Sequence, residues 1–225
     1  MPHKVTGLTM AHYPVDYWQP YSKYTVPFSA LGFITFLATG VGTLSAYWVK
    51  HEYGNYNRTN LIMYEGVWRK CYYTSTIGLT ANTESECEMI DYLEKPQQGP
   101  GYDYYILLYE LMLSSVILMT LGTLISFISE VVAILTIRFQ NKSFMLCSGY
   151  FFILAGIFTL AGCMIFTVKV VMEERWWPVE SLGPVPDKSY HIYWGFFCAW
   201  GGVFACFFVG MFYFKLSRLY TEGIY

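Results

Sequence analysis

Apolar residues gather in four long runs, at 27–48, 104–137, 144–172 and 192–214, and the polar residues lie between and around them. A bilayer core of about 30 Å takes roughly 20 mostly apolar residues per helix, so each run is predicted to span a membrane. The run at 104–137 exceeds that length. At about 1.5 Å per residue it reaches roughly 50 Å, so its first turns are expected to project from the bilayer. The segment 49–103 has a different texture, with β-forming residues at 61–64, 67–76 and 88–93 between polar breaks, which predicts a small antiparallel sheet. Its end, 96–101, is rich in proline and glycine and reads as a turn into the second helix. The segment 173–191 carries Gly183, Pro184 and Pro186, which predict an irregular course.

Composition narrows the picture. Hydrophobic residues make up 55% and charged residues 13% of 225 positions, so once four spans are assigned nothing is left for a separate soluble domain. One four-pass domain is expected, and nucleic-acid binding is excluded for want of a basic patch. The net charge of -2 says less than the placement of charge. Lys4, Lys23, Arg138, Lys142, Lys215 and Arg218 fall on one side of the four spans, whereas Glu52, Glu65, Glu84, Glu86, Glu88, Asp91, Glu94 and Asp103 fall in the first loop on the other. The basic side is predicted to be cytoplasmic, with both termini, and the protein to reside in the plasma membrane. No cleavable signal is expected, and the first span would serve as its own anchor. Tyr13, Tyr17, Trp18, Tyr21 and Tyr24 suit the cytoplasmic headgroup layer; Tyr104, Tyr105, Tyr109, Trp176, Trp177, Tyr193 and Trp194 suit the outer aromatic belt.

Cys71 and Cys87 are the cysteines of the outward loop, and an oxidising compartment favours a disulfide between them. Cys163, Cys198 and Cys206 read as small packing residues inside helices, and Cys147, at the cytoplasmic mouth of the third helix, as a candidate palmitoylation site. Ala38, Gly42 and Ala46, then Gly122 with Ser126 and Gly201 with Ala205, place small side chains at four-residue spacing, where helices approach closely. Asn57-Arg58-Thr59 is a sequon in the outward loop and a candidate glycosylation site; Asn141-Lys142-Ser143 is a second that should stay bare on the cytoplasmic side.

Catalysis finds little support. His3, His12, His51 and His191 are scattered over both sides of the membrane without metal-ligand spacing, and no nucleophile elbow, phosphate loop or carboxylate pair occurs, so neither cofactor nor metal is expected. Three charged residues inside spans cost about 3 kcal/mol or more each near the bilayer centre. Glu110, Glu130 and Lys169 are read first as interfacial or snorkelling residues. The alternative is that Glu110 and Lys169, at similar depth, form a candidate intramembrane pair.

Trp48, then Gly66-Val67-Trp68-Arg69-Lys70-Cys71, then Cys87 resemble the tryptophan, glycine-leucine-tryptophan, cysteine, cysteine signature of the claudin and peripheral myelin protein superfamily. The resemblance implies a four-helix bundle carrying a disulfide-pinned extracellular sheet wedged by Trp48, Gly66 and Trp68. Valine stands at 67 where the signature has leucine, and the cysteine spacing is longer than in most claudins. Residues 148–156 and 190–197 are similar to the matching stretches of calcium-channel γ subunits and transmembrane AMPA-receptor regulatory proteins. That similarity implies a non-catalytic auxiliary subunit whose partners are membrane lipids and a pore-forming channel or receptor subunit. The alternative is a claudin-type junction protein that assembles with itself or with other claudin-like proteins. The ending Thr221-Glu222-Gly223-Ile224-Tyr225, with glycine where a scaffold-binding tail carries Ser, Thr or an apolar residue, leans toward the auxiliary subunit.

Overall fold

A computed structural model describes residues 19–56, 59–76, 84–93, 102–139, 141–176 and 188–222. In chain order these form α1 (Gln19–Leu44), β1 (Val49–Tyr56), β2 (Thr59–Glu65), β3 (Arg69–Thr76), β4 (Glu84–Met89), α2 (Tyr102–Phe139), α3 (Lys142–Trp176), β5 (Lys188–Ile192) and α4 (Trp194–Glu222). All four helices hold an apolar stretch long enough to cross a membrane. Large apolar side chains also cover their outer faces: Ile34 is 59% exposed, Leu44 66% and Phe204 67%. Such continuous apolar cover is unstable in water and natural against lipid tails.

The helices form a ring in which α1 touches α2 and α4, and α3 joins α2 to α4. Trp48, Met119, Phe152, Phe166, Val203 and Tyr213 fill its centre and are fully buried. Close backbone approach is built in at particular glycines. A Cβ on Gly42 would lie 2.8 Å from the Ala199 nitrogen, and one on Gly122 2.9 Å from that of Thr159. On α4 Gly202 packs against Thr39, whereas its neighbour Gly201 meets nothing within 4 Å. That corrects the expected Gly201–Ala205 face by one position, a turn of about 100° on a helix.

The sheet is antiparallel in the order β4-β3-β2-β1-β5. The first loop thus supplies four strands, and β1 follows α1 directly. α1 stops at Leu44 and not at 48, so Trp48 lies in the crossing from helix to sheet. α1 also starts before 27, at Gln19, with Pro27 inside it; Tyr24 is therefore a helical residue, 52% exposed. The second loop is not wholly irregular, because β5 pairs with β1 from Lys188↔Tyr53 to Ile192↔Val49, and α4 begins only at Trp194. α2 and α3 run two to four residues beyond their expected ends. Tyr13, Tyr17, Trp18, Asn57, the 96–101 turn, Trp177, Gly183, Pro184, Pro186 and the last three residues lie outside the described residues.

Candidate functional site

The sheet meets the bundle at a junction that begins with two residues of the signature. After α1 ends, the chain folds back, and the Trp48 indole Nε1 donates to the Gly42 carbonyl at 2.6 Å. That satisfies one of the last-turn carbonyls that a helix leaves without a partner. The ring is wholly buried, edge-on to Phe166 at 4.7 Å and to Phe196 at 5.8 Å. Gly66 sits where the turn between β2 and β3 presses on the same crossing: a Cβ there would collide with the Ser45 carbonyl and the Ala46 Cα. No side chain can be accommodated between two backbones at that separation. Val67 is fully buried beside Trp48, while Trp68 is half-buried, edge-on to Tyr92 at 6.1 Å.

Immediately before Gly66 stands the residue around which the junction is organised. Glu65 is 2% exposed and receives the Lys169 ammonium at 2.7 Å, from the sheet end of α3. His51 of β1 approaches the same oxygen, Oε2, through Nε2 at 3.3 Å, and Lys70 of β3 reaches Oε1 at 3.2 Å. Glu173, one turn beyond Lys169, binds its ammonium at 2.6 Å. Tyr190 of β5 closes over His51, with ring centroids 4.8 Å apart. Burial raises the affinity of the Glu65 carboxyl for its proton, but the Lys169 charge, the His51 hydrogen bond and Lys70 outweigh it. The group is held well below the usual carboxylate range. Three strands and one helix are thereby tied through a single buried carboxylate.

This geometry corrects the candidate Glu110–Lys169 pair. Lys169 is not paired with another helix of the bundle; its ammonium is shared between Glu65 of β2 and Glu173 on its own helix. Glu110 is on an exposed face of α2. Glu130 is paired differently. It is 4% exposed inside the half of the bundle away from the sheet, where Ser29 Oγ donates to its Oε1 at 2.9 Å. Gly32 makes the space, since a Cβ at that position would collide with Glu130 Oε2. Glu65 was legible only as one of many loop glutamates, and His51 only as an isolated histidine. The available signal was Glu65's place next to Gly66-Val67-Trp68.

Cys71 and Cys87 form a disulfide between directly opposed positions of β3 and β4, which fixes the edge strand. Tyr92 donates to the Val67 carbonyl and Tyr109 of α2 to the Tyr92 carbonyl, so the chain after β4 is stitched to α2. Tyr104 donates to the Met172 carbonyl at 3.1 Å; Tyr104 and Tyr109 therefore hold the sheet end together, while Tyr105 remains 42% exposed. On the opposite sheet face, Tyr64 packs against Tyr47, Tyr73 and Tyr193 at centroid distances of 5.0 to 5.3 Å. Cys163 and Cys206 are fully buried in the bundle, and Cys147 is exposed on α3. Among the described residues no group of three or more His, Cys, Asp or Glu could hold a metal ion.

The comparisons with known proteins follow the same lines. No individual curated protein matches the chain. Residues 30–215, from within α1 to the last turns of α4, match the family model for PMP-22/EMP/MP20/claudin tight-junction proteins. That span takes in four helices able to cross a membrane, the five-stranded extracellular sheet and the Cys71–Cys87 disulfide. The chain is a multi-pass membrane protein and belongs to the PMP-22/EMP/MP20/claudin family.

Proposed function

We propose that this protein is a non-catalytic auxiliary subunit of an ion channel or ligand-gated receptor, which lies beside a pore-forming subunit and alters its gating or delivery to the surface. The observation that carries the reading is the bridge from sheet to bundle through Glu65 and Lys169. A partner that touches the sheet outside the membrane is thereby linked to one that touches the helices within it. A rigid body with both faces suits a lateral modulator, and the filled centre of the ring, with Trp48, Phe152 and Phe166 fully buried, is unsuited to conduction. The resemblance of residues 148–156 and 190–197 to γ subunits points the same way.

Co-expression with candidate pore-forming subunits, recorded beside each subunit alone, tests the proposal. A shifted voltage or ligand dependence, or a changed surface level, is expected, with no current from this protein by itself. If no channel responds while expressing cells adhere and build paracellular strands, the claudin-type junction reading replaces it. The proposal includes plasma-membrane placement with the sheet outside and both termini in the cytoplasm. Asn57 would then carry a glycan and Cys147 would be open to palmitoylation. A glycosidase-sensitive mobility shift that disappears in Asn57→Gln reads that orientation directly, and a shift retained in the variant reverses it.

A further inference from the structure

An open groove of about 520 Å³ runs under the edge of the sheet along the last turns of α1. Its volume lies in the range of small-molecule sites. The floor is Leu37, Gly40, Val41 and Leu44, and Tyr47 and Trp194 stand at one side. Leu37, Val41, Leu44 and Trp194 are each 45 to 66% exposed, so the groove opens outward to the bilayer. From Phe36 to Leu44, the lining turns of α1 cover about 12 Å of depth at 1.5 Å per residue. That is most of one leaflet's hydrocarbon thickness.

The roof is chemically different. It is made by the Cys71–Cys87 disulfide and by Arg69, the first residue of β3, three positions after Gly66 presses against the end of α1. Arg69 is exposed and forms no ion pair among the described residues. An unpaired arginine above an apolar trough presents a planar fork to a phosphate. Gly40 adds an independent observation. Gly42 and Gly66 are fixed by backbone contacts, but a Cβ on Gly40 would meet only the Thr123 methyl at an ordinary 3.8 Å. Helix packing does not require glycine there, and the absent side chain deepens the trough.

We propose that this groove binds one phospholipid from the leaflet on the sheet side, with an acyl chain along α1 and the phosphate on Arg69. Charge complementarity selects the phosphate, and the 12 Å trough selects a chain and not a bulky ring. The site would hold a lipid whether or not a channel partner is present, so its test is separate from that of the auxiliary-subunit reading.

Native mass spectrometry of the detergent-purified full chain, with palmitoyl-oleoyl phosphatidylglycerol, the matching phosphatidylcholine or a diacylglycerol of the same chains added, decides it. Wild type is expected to retain one copy of either phospholipid and far less diacylglycerol. Arg69→Gln should weaken retention by about tenfold or more, the scale of one charge-assisted contact. Gly40→Leu, which fills the trough from below, should abolish it, while Arg138→Gln at the far end of α2 should leave it unchanged. Melting temperature and the intact disulfide are read in parallel, and Arg69→Gln, at an exposed position, provides the arm that does not depend on helix packing. Equal retention by wild type, Arg69→Gln and Gly40→Leu would reduce the lipid to ordinary annular contact and overturn the proposal. Equal retention of diacylglycerol would remove the phosphate from it.

Discussion

Among the described residues two glutamates are buried, and they are treated in opposite ways. Glu65, at the sheet junction, is surrounded by Lys169, Lys70 and His51. Glu130, deep among the helices, has a hydroxyl from Ser29 and the space left by Gly32, with no cation within ion-pair distance among the described residues. A buried charge whose partner is removed becomes an uncompensated charge, which is why breaking such pairs costs far more than never having built them. Glu65 is therefore a fastener whose removal depends on how it is removed. Glu130 is a polar residue whose charge the surrounding structure does not use.

The largest expected effect is at the fastener. Lys169→Met leaves Glu65 buried without its closest cation, and loss of one partner of a buried pair typically costs about 3 to 5 kcal/mol. A large drop in melting temperature and loss of surface protein are expected. Glu65→Gln combined with Lys169→Met should restore more than half of that loss, because the fully buried carboxylate is then neutral and only the more exposed Glu173 and Lys70 lose a partner. If the double variant melts no higher than Lys169→Met, the pair is not what joins sheet to helix.

The same fastener carries a pH signature of intermediate size. The Glu65 carboxyl titrates well below its ordinary range when folded, and near 4.3 when unfolded. Its contribution is therefore complete above about pH 4.3 and is lost as the pH falls from there toward the folded value. Wild type should lose melting temperature below about pH 4 more steeply than Glu65→Gln, which has nothing to titrate at that position. Parallel acid profiles for the two would place the stabilisation elsewhere.

The contrast between the two carboxylates also marks where the sequence could be read. The four helices were legible because lipid demands unbroken apolar runs on every helix face, and that demand is local. The disulfide was legible because compartment and loop placement single out Cys71 and Cys87. β5 was not, because five residues after a Gly-Pro-rich stretch become a strand only by pairing with β1, more than a hundred residues earlier. Glu65 and Lys169 are as far apart in sequence, and sequence reasoning joined Lys169 to Glu110 by depth alone. Depth was the right variable, but an ammonium at a helix end can reach out of the bilayer as readily as along it, and a carboxylate under the sheet offered the better partner. Gly201 and Gly202 show the same limit at finer scale. Adjacent glycines look alike in sequence, while rotation of the helix sends one to lipid and the other against Thr39.

The smallest expected effect is the sharpest separation of the two sites. Glu130→Gln keeps an oxygen to accept from Ser29 and nearly the same volume beside Gly32, and it removes a carboxylate that is costly to hold charged where it is buried without a cation. Its melting temperature should equal or exceed that of wild type, corresponding to a gain of about 0 to 1 kcal/mol, whereas Glu65→Gln lowers it. The two single variants are measured side by side in the same detergent across neutral pH. A loss at Glu130 as large as that at Glu65 would mean that its charge is matched by a cation the contacts with Ser29 and Gly32 do not supply, and the distinction between fastener and unused charge would fall. Equality or gain at Glu130 beside loss at Glu65 leaves the sheet junction as the place where this fold relies on an ion pair.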